Sequence, residues 1–273
     1  MSVLKMDKDG KDEPQSGKRK RTIVFHRMVP NLITLTAMAA GLTSIQFAIN
    51  MQWEKAIFAI LIALLLDAMD GAMARLLNAA SEFGSYLDTL SDFLAFGVSP
   101  SIILYIWLLN ESGRVGWVAM LFYTSATALR LCRFNVEQKI LPDWHKGFFS
   151  GVPSPAGAGL ALLPLIIWLQ YPDFFRGWGH ASPLVGMWII AVGCMMVSRV
   201  PTFSIKTISL PAKLGMTVMA CAALLLAALA SAPWPTLTII AVAYMASIPV
   251  AVIHFRKLKK DHQELEDLED LPL

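Results

Sequence analysis

Long apolar stretches alternate with short polar breaks along nearly the whole chain. Each stretch is poor in charge and is bounded by Pro, Gly or charged residues, which is typical of successive transmembrane helices. A helix needs about 20 residues to cross the hydrocarbon core of a bilayer. The pattern therefore predicts an all-α integral membrane protein with about eight transmembrane helices, at residues 31–49, 56–75, 88–108, 116–134, 155–170, 184–198, 214–231 and 235–254.

The order of these segments predicts the domain organisation. Residues 1–22 are polar and basic, and they lack the apolar run of a cleaved secretory signal. The first apolar segment is therefore expected to remain in the protein as a helix. We predict a basic cytoplasmic segment at 1–28, a transmembrane domain at 29–255 and a cytoplasmic tail at 256–273.

Composition excludes two broad classes of protein. Of the 273 residues, 56% are hydrophobic and 16% are charged, whereas an average soluble domain is about 25% charged. The chain is therefore neither an ordinary soluble protein nor a disordered one. Its net charge of +3 is too small to indicate nucleic-acid binding. Since the cysteines form no CxxC pair, we expect Cys132, Cys194 and Cys221 to be packing residues.

Positive charge is distributed unevenly between the two sides of the predicted bundle. If the N-terminus is cytoplasmic, every Lys and Arg residue except Lys55, Arg114 and Arg176 falls on the cytoplasmic side. Loops rich in Lys and Arg stay in the cytoplasm. The distribution therefore predicts that both termini are cytoplasmic and that the number of spans is even. We expect the protein to lie in the inner (cytoplasmic) membrane.

Four aspartates stand where the second span ends and the third begins. Asp67 and Asp70 are three residues apart on one helix, Asp88 and Asp92 are four apart on the next, and each pair shares a helix face. A short connection makes these helices antiparallel neighbours, so the four carboxylates can converge near the cytoplasmic surface. An acid within a span costs at least about 2.5–3.5 kcal/mol. We therefore expect hard divalent cations, Mg²⁺ or Mn²⁺, to neutralise them. The alternative is that the aspartates only cap helices or pair with Arg75.

The same region carries a motif with eight fixed positions, D-x2-D-G-x2-A-R-x8-G-x3-D-x3-D, from Asp67 to Asp92. At every fixed position it resembles the signature of the CDP-alcohol phosphotransferases, and the multi-helix layout resembles that family as well. Its members transfer a phosphoalcohol from a CDP-linked donor to an acceptor hydroxyl and release CMP. The resemblance implies the family's fold, an enzyme with two divalent cations, a catalytic transmembrane domain and a homodimer.

The resemblance also assigns roles to particular residues. Asp67, Asp70 and Asp88 are expected to be metal ligands, and Asp92 is expected to be both a ligand and the general base. Taken without the family, Asn31 and Thr34 would be read as a helix N-cap and a hydroxyl bonded to its own helix. The positions that the resemblance assigns to the donor, CDP-diacylglycerol, are Asn31, Thr34, Gly71, Arg75, Ser81 and Gly84.

Two arginines at the end of the fourth span bear on the acceptor. Arg130 and Arg133 are three residues apart; they could capture an anionic group, or only anchor the helix at the membrane surface. The sequences RLCRFN around them and GVPSPAG at 151–157 resemble a bacterial branch of the family that uses L-serine, where RLARFN and GLPSPAA are usual. The departures are small and apolar. We therefore expect Arg130, Arg133 and Asn135 to bind the acceptor, L-serine.

The expected enzyme transfers the phosphatidyl group of CDP-diacylglycerol to the hydroxyl of L-serine, giving phosphatidylserine and CMP. The same chemistry with choline, glycerol 3-phosphate or inositol phosphate stays open, although a choline site should have an aromatic cage rather than arginines. The alternative from another class is a cation-coupled membrane transporter. A transporter should have acids near the bilayer midplane and internal repeats, and we find no repeat. The expected partners are the two substrates and membrane lipids, without nucleic acid.

Overall fold

A computed structural model of the chain describes residues 16–77, 79, 81–137, 148–173, 182–203 and 215–269. Within these residues the protein is almost entirely helical. The helices are α1 (Ser16–Ile49), α2 (Trp53–Leu76), α3 (Glu82–Asp92), a π-helix (Phe93–Val98), α4 (Ser99–Trp107), a 3₁₀ turn (Leu109–Ser112), α5 (Arg114–Glu137), α6 (Ser154–Gln170), α7 (Ser182–Val197), α8 (Gly215–Ser231) and α9 (Pro233–Glu269). Two three-residue strands, β1 (Phe148–Ser150) and β2 (Pro201–Phe203), complete the described elements.

The helices confirm the predicted membrane architecture. Five segments are long and apolar enough to cross a membrane: Met28–Ile49, Trp53–Leu76, Glu82–Trp107, Arg114–Glu137 and Pro233–Arg256. Three shorter apolar helices occupy the remaining predicted spans: Ser154–Gln170, Ser182–Val197 and Met219–Ser231. The protein is therefore a multi-pass helical membrane protein, and each of the eight predicted spans corresponds to a helical segment.

The predicted domain boundaries fall inside helices. α1 already begins at Ser16 and runs without a break into the first span, and α9 continues to Glu269. Residues 1–15 and 270–273 lie outside the described residues. The predicted boundaries after residues 28 and 255 mark where the chain would enter and leave the membrane, and they stay predictions.

α1 and α2 form an antiparallel hairpin with the most extensive contact between any two described helices. The chain reverses at Met51, whose φ of 56° lies in the left-handed region. Three alanines on the buried face of α2 let neighbouring helix axes approach closely. The buried residues of this face are Ala56, Ile57, Ala59, Ile60 and Ala63. The hairpin therefore fixes the start of the first span beside the end of the second.

The core is formed where α6 packs among α4, α7 and α9. Along α6, Leu160, Ala161 and Leu165 are almost completely buried. Tyr123 of α5 is also fully buried, and its hydroxyl donates to the carbonyl of Phe96 at 2.9 Å, so its polar atom is satisfied. By contrast, α8 exposes nearly all of its apolar side chains. This exposure carries no penalty in a bilayer, because lipid tails are as apolar as the side chains themselves.

The third span contains the π-helix directly after Asp92. At its end the N–H of Ser99 donates to the carbonyl of Leu94, five residues back, which is the pairing of a π turn. The first helix approaches this turn closely: a Cβ added at Gly41 would lie 2.8 Å from Cα of Ala95. The hydroxyl of Ser99 donates to the carbonyl of Gly41 at 2.8 Å. Glycine at position 41 therefore permits the contact that anchors the third span against α1.

The two short strands were not predicted from the sequence. β1 and β2 pair antiparallel, with Phe148 opposite Phe203 and Ser150 opposite Pro201. Gly151 follows β1 with φ of +79°, a conformation that glycine adopts without strain. A Cβ at this position would also lie 2.5 Å from the carbonyl oxygen of Met196. The pair therefore joins the start of α6 to the end of α7.

Candidate functional site

A cavity of about 550 Å³ opens at one end of the helical bundle. It forms where the start of the first span, the end of α2, the start of α3, the end of α5 and the start of α6 meet. Successive antiparallel spans bring these ends to the same side of the membrane. The cavity is lined by Pro30, Asn31, Thr34, Asp67, Ala68, Asp70, Gly71, Ala74, Arg75, Ala79, Ser81, Gly84, Ser85, Asp88, Asp92, Arg130, Phe134, Pro153 and Pro155.

Three of the predicted metal ligands form a tight cluster in this cavity. One carboxylate oxygen from each of Asp67, Asp70 and Asp88 lies within 4.8 Å of those of the other two. Asp70 is only 4% exposed. Three carboxylate oxygens at such separations are suited to bind a hard divalent cation. These three side chains therefore fit a metal ion, as the spacing of the aspartates predicted.

Thr34 holds one member of the cluster in place. Its hydroxyl donates to Oδ2 of Asp70 at 2.5 Å, and the carbonyl of Pro30 lies 3.0 Å from the same hydroxyl oxygen. The hydroxyl of Ser91 in turn donates to the carbonyl of Thr34 at 3.1 Å. These bonds connect α1, α2 and α3 at the cluster. Thr34 thus combines the two readings made from the sequence, because it bonds to its own helix and also lines the cavity.

Asp92 lies one helical turn beyond Asp88 and also lines the cavity. Its Oδ1 atom is buried, and no hydrogen-bond partner for it is found among the described residues. A buried carboxylate oxygen without a partner is costly. The site therefore has an unsatisfied acceptor beside the three-aspartate cluster, which a metal ion or a substrate hydroxyl would satisfy.

The positions predicted to bind the donor surround the aspartates. Ser81 is the N-cap of α3, and its hydroxyl accepts the N–H of Gly84 at 3.0 Å. A Cβ at Gly84 would lie 3.1 Å from Oδ1 of Asn31, so a side chain there would crowd the start of the first span. Beside Gly71, by contrast, a Cβ would meet nothing nearer than Nη1 of Arg75, at 4.0 Å. The structure thus brings all six predicted donor positions into the cavity lining.

Arg130 stands in the same cavity and is 6% exposed. Its Nη1 atom donates to the hydroxyl of Ser154 at 2.9 Å. Its guanidinium carbon lies 5.0 Å from the ring centroid of Phe134, within the range of a cation–π contact. The cavity therefore has carboxylates from α2 and α3 and a fixed positive charge from α5.

The other two residues predicted to bind the acceptor are not part of the described lining. Nη1 of Arg133 donates to the carbonyls of Val197 at 2.6 Å and Ser198 at 3.3 Å, and thereby caps the end of α7. The side-chain amide of Asn135 donates to the hydroxyl of Thr89 at 3.0 Å. Both side chains join neighbouring elements, and of the three predicted acceptor residues only Arg130 is among the lining residues.

Of the lining residues that were not assigned roles from the sequence, three lie at the end of α5 and the start of α6. Phe134 packs against the guanidinium of Arg130, and Pro153 and Pro155 form the wall at the start of α6. The sequences RLCRFN and GVPSPAG contain these residues, and their resemblance to family patterns was the available signal. No signal in the sequence indicated the pairing of β1 with β2, which places this wall beside the cavity.

We expect Arg133→Ala to lower the melting temperature of the purified protein by several degrees. A hydrogen bond from a charged donor contributes roughly 1.5–3 kcal/mol, and its loss leaves the end of α7 uncapped. A thermal melt in detergent measures the effect. Arg114→Ala, which removes an exposed arginine from the start of α5, is the matched control and should melt like the unaltered protein. An unchanged melting temperature for Arg133→Ala would show that its two hydrogen bonds do not stabilise the fold.

Two family models together, and several named relatives, match most of the chain. Residues 27–200 match the family model described as CDP-alcohol phosphatidyltransferase, and residues 213–249 match the model described as CDP-alcohol phosphatidyltransferase 2. A protein of Mycobacterium leprae named CDP-diacylglycerol–serine O-phosphatidyltransferase is 36% identical over 91% of this chain and 82% of its own length. Proteins of the same name are 34% identical in Mycobacterium tuberculosis, over 91% of this chain and 86% of the relative, and 33% identical in Helicobacter pylori, over 70% and 78%.

Proposed function

We propose that this chain, which belongs to the CDP-alcohol phosphatidyltransferase family, transfers the phosphatidyl group of CDP-diacylglycerol to the hydroxyl of L-serine. The products are phosphatidylserine and CMP. The observation that carries the proposal is that one cavity holds both a cluster of carboxylates and a buried arginine. The carboxylates suit a metal-bound diphosphate, and the arginine suits an acceptor with its own carboxylate. The names of the relatives, which include serine, support the same acceptor.

Two divalent cations, Mg²⁺ or Mn²⁺, complete the proposed site. Asp67, Asp70, Asp88 and Asp92 would hold them, since the first three already cluster and Asp92 lines the same cavity. Bound there, the ions would neutralise the diphosphate of the donor and stabilise the leaving CMP. Thr34 keeps Asp70 oriented towards the cluster through the bond to Oδ2. The protein thus supplies a preorganised set of carboxylate oxygens for the metal ions, which in turn would bind the donor.

The donor would lie along the six lining positions that surround the cluster. Arg75 offers a guanidinium for a phosphate oxygen. Gly71 leaves open space beside α2, so that the diphosphate can approach the backbone. The N-cap arrangement of Ser81 and Gly84 fixes the start of α3 opposite Asn31.

Asp92 is the proposed general base. The serine oxygen attacks the phosphorus that carries the diacylglycerol, the bond from that phosphorus to the CMP oxygen breaks, and Asp92 takes the proton from the serine hydroxyl. Asp92 has an oxygen free of hydrogen bonds to described residues, so proton acceptance displaces no existing bond at that atom. A single displacement accounts for the products without a covalent intermediate.

Arg130 is the proposed partner of the serine carboxylate. Ser154 and Phe134 hold its guanidinium in place, and Arg130 lines the same cavity as Asp92. Choline would require several aromatic rings, whereas Phe134 is the single aromatic residue among the described lining residues. A transporter is disfavoured because the acids cluster at one end of the bundle rather than near its middle.

The test is an assay of CMP release from CDP-diacylglycerol by the purified protein. Serine, choline, inositol phosphate and glycerol 3-phosphate are supplied separately as acceptors. We expect serine to support the reaction and the others to give no more than background release. Faster release with any other acceptor would overturn the proposed substrate while leaving the family chemistry intact.

We expect Arg130→Ala to raise the KM for serine about ten- to a hundredfold, because a charge-assisted hydrogen bond contributes roughly 1.5–3 kcal/mol. The KM for CDP-diacylglycerol should stay nearly constant, because an arginine that binds serine equally in ground and transition states affects mainly its KM. Arg130→Lys keeps the charge but not the planar fork, so an intermediate KM is expected. A change confined to the donor KM would assign Arg130 to the donor instead.

The cellular setting follows from charge and family. We propose that the cavity and both termini face the cytoplasm from the inner membrane, because Lys and Arg concentrate on that side. We also propose that the protein is a homodimer, as its family resemblance implies. Cross-linking in native membranes tests whether the protein is a dimer. Labelling of a cysteine introduced at each terminus tests on which side of the membrane the termini lie.

A further inference from the structure

The guanidinium of Arg130 is buried in a cavity that four aspartates also line. Asp92 lines the same cavity, and its opposite charge attracts the guanidinium. Nevertheless, Nε of Arg130 and Oδ1 of Asp92 both have no hydrogen-bond partner among the described residues. These two atoms therefore do not bond to each other. Some other contact must hold the guanidinium in its observed position.

Ser154 supplies that contact. Its hydroxyl accepts Nη1 of Arg130 at 2.9 Å, and its side chain is completely buried. Ser154 is the first residue of α6, and its neighbours Pro153 and Pro155 line the cavity. The serine thus lies between two residues of the cavity wall, and its hydroxyl contacts Arg130 of the same cavity.

The wall that carries Ser154 is itself held firmly. Two backbone bonds fix the preceding residues: the N–H of Gly151 donates to the carbonyl of Val200 at 2.8 Å, and the N–H of Val152 donates to the carbonyl of Met195 at 3.3 Å. The hydroxyl of Thr202 donates to the carbonyl of Gly151 at 2.9 Å. The hydroxyl of Ser154 is therefore presented from a rigid support.

We propose that Ser154 is a positioning residue that holds the guanidinium of Arg130 away from Asp92, so that the guanidinium stays available to the acceptor carboxylate. The inference rests on the proposed function, in which Arg130 binds that carboxylate. Without the Ser154 hydroxyl, the guanidinium is expected to turn to Asp92 in the same cavity, since opposite charges attract strongly where the dielectric constant is low. The acceptor then has to displace Asp92 before it can bind. Ser154 itself does not contact the acceptor.

The test compares Ser154→Ala with a closely matched serine. Ser182 is also the first residue of a helix, is followed by a proline and is 3% exposed. Its hydroxyl donates to the carbonyl of Leu108 at 3.0 Å, and it is not among the residues that line the cavity. Ser182→Ala therefore removes a comparable buried hydroxyl without touching Arg130.

We expect Ser154→Ala to raise the KM for serine about tenfold, the effect of one lost charge-assisted hydrogen bond. The KM for CDP-diacylglycerol should change less than about twofold, as should all constants of Ser182→Ala. Ser154→Thr keeps the accepting oxygen and should retain the original serine KM. If Ser154→Ala does not fold, Ser154→Cys, which is similar in size but a weaker acceptor, should give a smaller rise in serine KM.

A double-mutant cycle separates positioning from general structural support. If Ser154 acts through Arg130, adding Ser154→Ala to Arg130→Ala should leave the serine KM of the single Arg130 variant unchanged. An unchanged serine KM in Ser154→Ala, equal changes for both substrates, or additive effects in the double variant would each overturn the proposal.

The outcome is distinguishable from a failure of the proposed function. If a different alcohol supports CMP release in the unaltered protein, serine is the wrong acceptor, and the same cycle with that alcohol decides the role of Ser154. If no acceptor supports CMP release, the proposed function and the role of Ser154 in it are both overturned.

Discussion

Asp92→Asn is expected to reduce CMP release by about 10²–10⁴-fold, the usual contribution of a general base, while CDP-diacylglycerol still binds. Asparagine has nearly the same shape as aspartate, but its amide cannot accept the proton of the serine hydroxyl. No described residue bonds to Oδ1 of Asp92, so the substitution breaks no described hydrogen bond at that atom. Asp67, Asp70 and Asp88 remain to hold metal at the donor.

Single-turnover CMP release and donor binding should be measured separately for this variant. Asp173→Asn, which alters an exposed aspartate beyond the far end of α6, is the control and should behave like the unaltered protein. If Asp92→Asn keeps more than a tenth of the original rate, Asp92 is not the base. If the donor no longer binds, its main role is as a ligand.

Removal of divalent cations is expected to reduce CMP release to background. A donor diphosphate brings further negative charge to a cavity that already contains four aspartates, and like charges repel strongly where water is excluded. Addition of Mg²⁺ or Mn²⁺ in excess over the chelator should restore the rate. EDTA saturated beforehand with Mg²⁺ is the control for effects of the chelator itself. Full CMP release in excess EDTA would contradict a metal-dependent site.

The membrane helices could be predicted from the sequence because their signal is local. Each span is a contiguous apolar run with its own boundaries, and the spans on either side contribute nothing to its recognition. The π-helix and the β1–β2 pair have no such signal. The strands are only three residues long, and their pairing joins residues that are about 50 positions apart. Such contacts depend on how α6 and α7 pack, which hydrophobicity along the chain does not specify.

The candidate site divides in the same way. The spacing of Asp67 and Asp70, and of Asp88 and Asp92, defines helix faces, and the short connection between the two helices makes those faces meet. Arg130 and Arg133 have an equally simple spacing, yet only Arg130 lines the cavity. The difference arises from the end of α7, whose carbonyls attract Arg133. A position on the same side of one helix therefore did not determine which neighbour each arginine meets.

The π-helix at Phe93–Val98 determines how the two halves of the third span, α3 and α4, are rotated relative to each other about the helix axis. A π turn accommodates one residue more than an α turn, and one residue of an α-helix corresponds to about 100° of rotation. The face with Asp88 and Asp92 is therefore offset by roughly that angle from where an uninterrupted helix would place it relative to Ser99. Shortening the π segment by one residue would turn the acidic pair away from its partners on α2. The alignment of the four aspartates thus depends on the length of an apolar segment that does not line the cavity, and not on its chemistry.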